Sequence, residues 1–108
     1  MASRAYSPTT LSVLEILSQL IQLKRKERGY TQQALAERVG ISRSLLQRVE
    51  SGDSRCEIGV VFEIAHLLGI QLFQAPVSHS SLLAGLHDKL ALLPAHVLVP
   101  KTEVSNDF

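Results

Sequence analysis

Cysteine, tryptophan and long apolar runs are what this sequence is short of. Its one cysteine, Cys56, excludes an intramolecular disulfide and any cluster of thiolate metal ligands. With no Trp and only 5% aromatic residues, the core has to be aliphatic. No apolar run approaches the roughly 20 residues that a membrane-spanning helix needs, and "MASRAYSPTT" at the N-terminus has no apolar stretch of the signal-peptide kind. These absences read as a cytoplasmic chain. His66, His79, His87 and His96 do not fall at zinc-ligand spacing, and no P-loop, GxSxG or HExxH occurs. The expectation is therefore a protein with no catalytic residues, no metal and no cofactor, rather than an enzyme.

What is present is aliphatic and helical in pattern. Apolar residues make up 45% of the 108 positions, enough for one modest core and too few for two independent ones. Leu, Ile and Val dominate and few runs alternate with period two, which favours helices. The net charge of +1 is unevenly spread. Residues 1–55 hold nine Lys/Arg against five Asp/Glu, and residues 56–108 hold two against five. A basic front half suits phosphates and an acidic back half suits a different partner, although such a surplus is also ordinary for a solvated surface.

The capping signals divide the chain into five helices. Ser7-Pro8 reads as a cap with Pro at the first helical position, and Leu14, Leu17, Leu20 and Ile21 share one face of the helix that follows. Lys24, Arg25 and Lys26 lie in its last turns, favourable against the helix dipole, and Gly29 closes it. Thr31 caps a second helix that ends near Val39, and Ser42 caps a third that runs to about Glu50. A fourth spans about Ile58 to Leu68 with Gly69 as its stop, and Glu57 is a weak cap for it. "IQLFQ" (residues 70–74) alternates and reads as a short strand. A fifth helix is expected over about Ser80 to Leu93, with Leu83, Leu86, Leu90 and Leu93 at the 3-4-3 spacing of an a/d seam. Pro94 ends it. The tail from Ala95 reads as extended or disordered when unbound.

The segment "TQQALAERVGISRSLLQRVESG" (residues 31–52) raises the functional question. At about 100° per residue, Leu46 and Val49 of the third helix fall on one side, with Leu45 at the edge of that buried arc. Arg43, Ser44, Gln47 and Arg48 form one continuous polar arc. The second helix offers Leu35 and Val39 for packing, Ala36 for a close approach, and Gly40-Ile41 for a tight corner. Two helices around a Gly turn form a helix-turn-helix, whose second helix is able to enter a major groove. There Arg bonds guanine in bidentate fashion and Gln does the same for adenine. An ordinary helical hairpin with a solvated polar face fits the spacing equally well.

Several linked segments carry a resemblance. "RKERGYTQ", "LAERVGIS", "RVESG" and "IAHLLGI", in that order and spacing, resemble the Cro/C1-type (XRE) helix-turn-helix family over about Leu20 to Phe73. The resemblance implies an all-α, compact five-helix, lambda-repressor-like domain that acts as a homodimer on palindromic double-stranded operator DNA. Carried over by position, Gln32 matches the phosphate-contacting glutamine that opens the second helix. Ser42, Arg43, Ser44, Gln47 and Arg48 match the DNA-facing positions of the recognition helix, and Arg55 lies in a loop that often touches the backbone. Arg25 and Glu50 match a structural salt bridge between the first and third helices, which removes both from the base-reading set. Two departures stand out. Cys56 and Glu57 occupy positions that are often Pro and Ser, which puts the start of the fourth helix in doubt. Leu45 occupies a position that is often polar, where it either touches DNA or widens the core.

The region after Gly69 exceeds a minimal domain of this type. "IQLFQAP", the Leu-rich helix and "LLPAHVLVPKTEVSNDF" resemble HipB-like antitoxins. That resemblance implies a HipA-type kinase toxin as partner and repression of a shared operon. Apolar anchors in the tail, Val97, Val99 and Phe108, suit a segment that orders on a partner. The expected organisation is a DNA-binding domain over residues 1–75 and a partner- or dimer-contacting segment over residues 76–108. Two other readings stay open: a free-standing repressor without a toxin, and a helix-turn-helix module that binds protein rather than DNA.

Overall fold

Ser7 opens the first helix by accepting the Thr10 N–H at 3.2 Å, with Pro8 at its first position. The structure, a computed structural model, describes residues 5–73 and 78–97. Five helices follow in order: α1 (Pro8–Glu27), α2 (Gln32–Val39), α3 (Arg43–Glu50), α4 (Ile58–Leu67) and α5 (His79–Ala91). The chain divides into two compact units, Met1–Leu72 and Phe73–Phe108.

The first unit is built on an aliphatic core. Ile21, Leu35, Leu46, Ile64 and Leu68 are fully buried, and Ala36 and Val49 complete the cluster. Each of α1 to α4 contributes to it, so the core holds α3 from behind and leaves its far side open. α1 buries Ile21 and half-buries Leu14, Leu17 and Leu20, while Val13, Ile16 and Leu23 stay exposed.

Three of the helix ends share one closure. After α1, Gly29 at φ 76° lets its own N–H reach Lys26 O and the Tyr30 N–H reach Arg25 O. After α3, Gly52 bonds Val49 O and Asp53 bonds Arg48 O; after α4, Gly69 bonds His66 O and Ile70 bonds Ala65 O. This paired 6→1 and 5→2 pattern needs a left-handed residue, which is why glycine stands at each position.

Two expectations need correction. "IQLFQ" is not a strand: Ile70 completes the closure of α4 and packs on the core, and Leu72 and Phe73 form an exposed bend. A strand exists only within a ladder, and no described residue is paired in one; Gln74 lies outside the described residues. The fifth helix begins at His79, one residue ahead of the expected Ser80, because Ser78 accepts the capping N–H, from Ser81 at 3.3 Å. It ends at Ala91, ahead of Pro94. Glu57 caps α4 by backbone conformation alone and makes no side-chain cap bond. No helix among the described residues is long and apolar enough to cross a membrane.

Candidate nucleic-acid interface

The α2–α3 corner is set by two hydroxyl caps and one glycine. The Thr31 side chain accepts the Ala34 N–H at 3.0 Å, and the Ser42 side chain accepts the Leu45 N–H at 3.1 Å. Between them Gly40 adopts φ 85°, and both Gly40 and Ile41 bond back to Ala36 O at 2.9 and 3.0 Å. Ala36 is fully buried, so its small side chain permits the close approach of the two helices.

The corner turns Ser42, Arg43, Ser44, Gln47 and Arg48 outward, and all five are exposed. Leu45 is half-buried at the margin of this face. Gln32, at the start of α2, is half-buried beside it. Arg43 is exposed and makes no ion pair among the described residues.

Behind the exposed arc runs a chain of hydrogen bonds. Arg25 and Glu50, both buried, form a bidentate pair: Nε to Oε2 at 2.7 Å and Nη2 to Oε1 at 3.1 Å. Arg25 Nη1 also donates to Tyr30 O at 2.9 Å, and Gln22 Nε2 donates to Glu50 O at 2.6 Å. Glu50 Oε1 further accepts Gln32 Nε2 at 3.2 Å, and Gln32 Oε1 accepts Gln47 Nε2 at 3.3 Å. The order of the buried ion pair is thereby passed through α2 to a side chain on the exposed face of α3. Buried charges of this kind are stable only when paired and hydrogen-bonded throughout, and no buried side-chain polar atom among the described residues lacks a partner.

Sequence reasoning missed Asp53. Its Oδ2 accepts Arg48 Nε at 3.1 Å and Arg55 Nη2 at 3.0 Å. Its Oδ1 accepts the Arg55 backbone N–H at 2.9 Å and Arg55 Nε at 3.0 Å. Hydrogen bonds from Arg55, side chain first and backbone second, then from Arg48, hold the Asp53 carboxyl well below the usual carboxylate range. The same contact raises Arg55 further. A signal was available in "RVESGD", because the closure at Gly52 brings residue 53 back over residue 48. Gln22 carried no comparable signal.

Of the remaining sites, Val97 is exposed, and Val99 and Phe108 lie outside the described residues. Among the described residues, no cluster of His, Cys, Asp and Glu is arranged to hold a metal ion.

Residues 21–74, half of the chain, match the family model described as helix-turn-helix. No curated protein matches the chain. Among solved structures, a HipA-HipB-O2-O3 complex contains a chain that is 21% identical, with a TM-score of 0.52, covering 71% of this chain and 100% of that one. The HipB-O4 20mer complex gives the same identity, TM-score and coverage. A HipB-O1-O2 complex is 23% identical with a TM-score of 0.51, covering 68% of this chain and 99% of that one.

Proposed function

We propose, proceeding from the fact that the chain belongs to the Cro/C1-type helix-turn-helix family, that it is a sequence-specific DNA-binding transcriptional repressor. The observation that carries this reading is the exposed arc of α3. Arg43, Gln47 and Arg48 stand together on a helix held out from the core by the Gly40 corner. A helix presented this way fits a major groove of about 12 Å width. A face meant for another protein would be expected to be more apolar.

In this reading Arg43, Gln47 and Arg48 read bases. Gln32, Ser42 and Arg55 hold phosphates, and Ser44 serves either role. Gln32 sits where its amide bridges buried order and exposed face, which suits a group that must meet a phosphate at fixed register. The protein would act as a homodimer on a palindromic operator, with half-sites about 34–36 Å apart. Residues 1–75 would form the DNA-binding part.

The finer reading is an antitoxin that neutralises a HipA-type kinase and represses their shared operon. It is supported by the likeness to chains solved in HipB complexes with HipA and with DNA. The likeness spans the whole of those chains. In this reading residues 76–108 would contact the toxin or the second protomer, with Val97, Val99 and Phe108 as anchors.

The test is a pull-down of the tagged protein from its native cells, identifying both co-purified protein and bound DNA. A kinase-sized partner together with DNA from the chain's own promoter supports the antitoxin-repressor. DNA alone supports a free-standing repressor. Protein without enriched DNA overturns the DNA-binding reading.

A further inference from the structure

We propose that Asp53 is a specificity-determining positioning residue, which fixes the guanidinium of Arg48 for base reading and at the same time lowers the affinity for DNA of any sequence. The inference rests on the DNA-binding reading above.

The geometry begins with the end of α3. Gly52 at φ 79° reverses the chain, and the Asp53 N–H bonds Arg48 O at 3.1 Å. In this closure the residue after the glycine lies against the residue five places earlier, and that pair is usually apolar. Here it is a carboxylate and a guanidinium, 3.1 Å apart. The Asp53 side chain is 13% exposed, against 49% for Arg48 and 75% for Arg55. The anion is therefore set inward, and the two cations fan outward from it.

Among the described residues, only one nitrogen of Arg48, Nε, is engaged. Its two terminal nitrogens remain available, and a bidentate guanine contact needs two N–H groups from one guanidinium. Holding Nε restricts the rotation of a long side chain before DNA arrives. Rotamers that would otherwise be lost on binding are already lost in the free protein. Arg48 is thus prepared for one base and less able to swing to a neighbouring phosphate.

Charge acts in the same direction. Two Arg and one Asp share this corner, so one of the two positive charges is cancelled beside the proposed phosphate-contacting loop. Attraction to phosphates is independent of sequence. A carboxylate placed there weakens every non-specific complex while it orders the specific one. The gap between operator and random DNA widens from both sides.

The experiment is selection from duplexes with a randomised central segment, carried out with wild type, Asp53→Asn and Arg48→Ala, followed by titration of a scrambled duplex over a range of salt. The expected result is that wild type selects a defined sequence and Arg48→Ala loses preference at one base pair of each half-site. Asp53→Asn should lose about tenfold of discrimination at that same base pair and keep the others. It should bind the scrambled duplex more tightly, with a salt slope steeper by about one. Asp53→Ser, which retains an acceptor for the Arg55 N–H, replaces the Asn variant if that protein fails to fold.

Full preference in Asp53→Asn at the base pair that Arg48→Ala loses overturns the inference. So does an equal loss at every position, which is the mark of a merely structural role. A wild-type protein that selects no sequence overturns the DNA-binding reading itself, and the inference with it.

Discussion

Gln32 donates its side-chain amide to Glu50 Oε1 at 3.2 Å while accepting from Gln47. A residue on the rim of the exposed face is thus tied to a buried ion pair. The candidate interface is ordered from within, and each link in that order has a measurable consequence.

The innermost link is the pair Arg25–Glu50. Arg25→Ala leaves a buried carboxylate without its cation, and removing one partner of a buried pair costs about 3–5 kcal/mol. In a domain of ordinary stability that is a large share of the total. Urea denaturation should show the loss. Arg25→Met combined with Glu50→Leu should recover most of it, because no uncompensated charge remains. A double variant as unstable as the single one contradicts this account.

Gln32 is the outward link. If it holds a phosphate, Gln32→Ala weakens binding to operator and random duplex by the same factor and leaves base preference intact. If the amide also positions Gln47, preference at one adenine relaxes as well. Titration of both duplexes with wild type and variant separates the two outcomes. No change on either duplex rules out any role for Gln32 in binding.

Asp53 gives a pH signature. Its folded carboxyl is held well below the ordinary value of about 3.9. The ionised form is favoured in the folded state, so its contribution to stability is fully present above that ordinary value. It is lost as pH falls through the lower folded one. Carbon NMR of the Asp53 carboxyl should stay flat from pH 7 down to about 4 and titrate only below the ordinary carboxylate midpoint. Asp53→Asn should show a shallower fall of stability across the same acid range. A titration midpoint at the ordinary value contradicts the three-residue arrangement.

Cys56 behaves in the opposite sense. Burial is the largest influence on its thiol and pushes it above its ordinary value, with Arg48 opposing. The neutral thiol is favoured on folding, so its contribution to stability is present below about pH 8.5 and lost as pH rises. Alkylation by iodoacetamide at pH 8 should be slower than for free cysteine, and denaturant should remove the difference. Faster reaction in the folded protein contradicts a thiol held neutral by burial.

The helices were legible because their ends are written in local chemistry. Ser7-Pro8, Thr31 and Ser42 each place an acceptor before an apolar-periodic run, and Gly29, Gly40 and Gly69 each supply the left-handed residue at a helix end. The start of α5 was read one residue late, at Ser80 rather than His79, because "SHSS" offers several hydroxyls and only the structure shows which one accepts the capping N–H. "IQLFQ" misled for a different reason. Five alternating residues fit a strand, but also fit a helix closure that turns one apolar side chain back into the core and leaves the next two in solvent. At the candidate interface, the wheel alone placed Arg43, Ser44, Gln47 and Arg48 on one exposed face. Asp53 escaped because its contact with Arg48 depends on the reversal at Gly52, and helical spacing does not describe a chain that has left the helix.

The most direct test of the central claim is the affinity of the protein for duplex DNA from its own promoter and for a scrambled duplex of equal length, measured by fluorescence anisotropy between low and physiological salt. A sequence-specific regulator keeps a gap of about a thousandfold or more at physiological salt, while both affinities fall steeply as salt rises. Equal affinity for the two duplexes at every salt concentration would contradict the account.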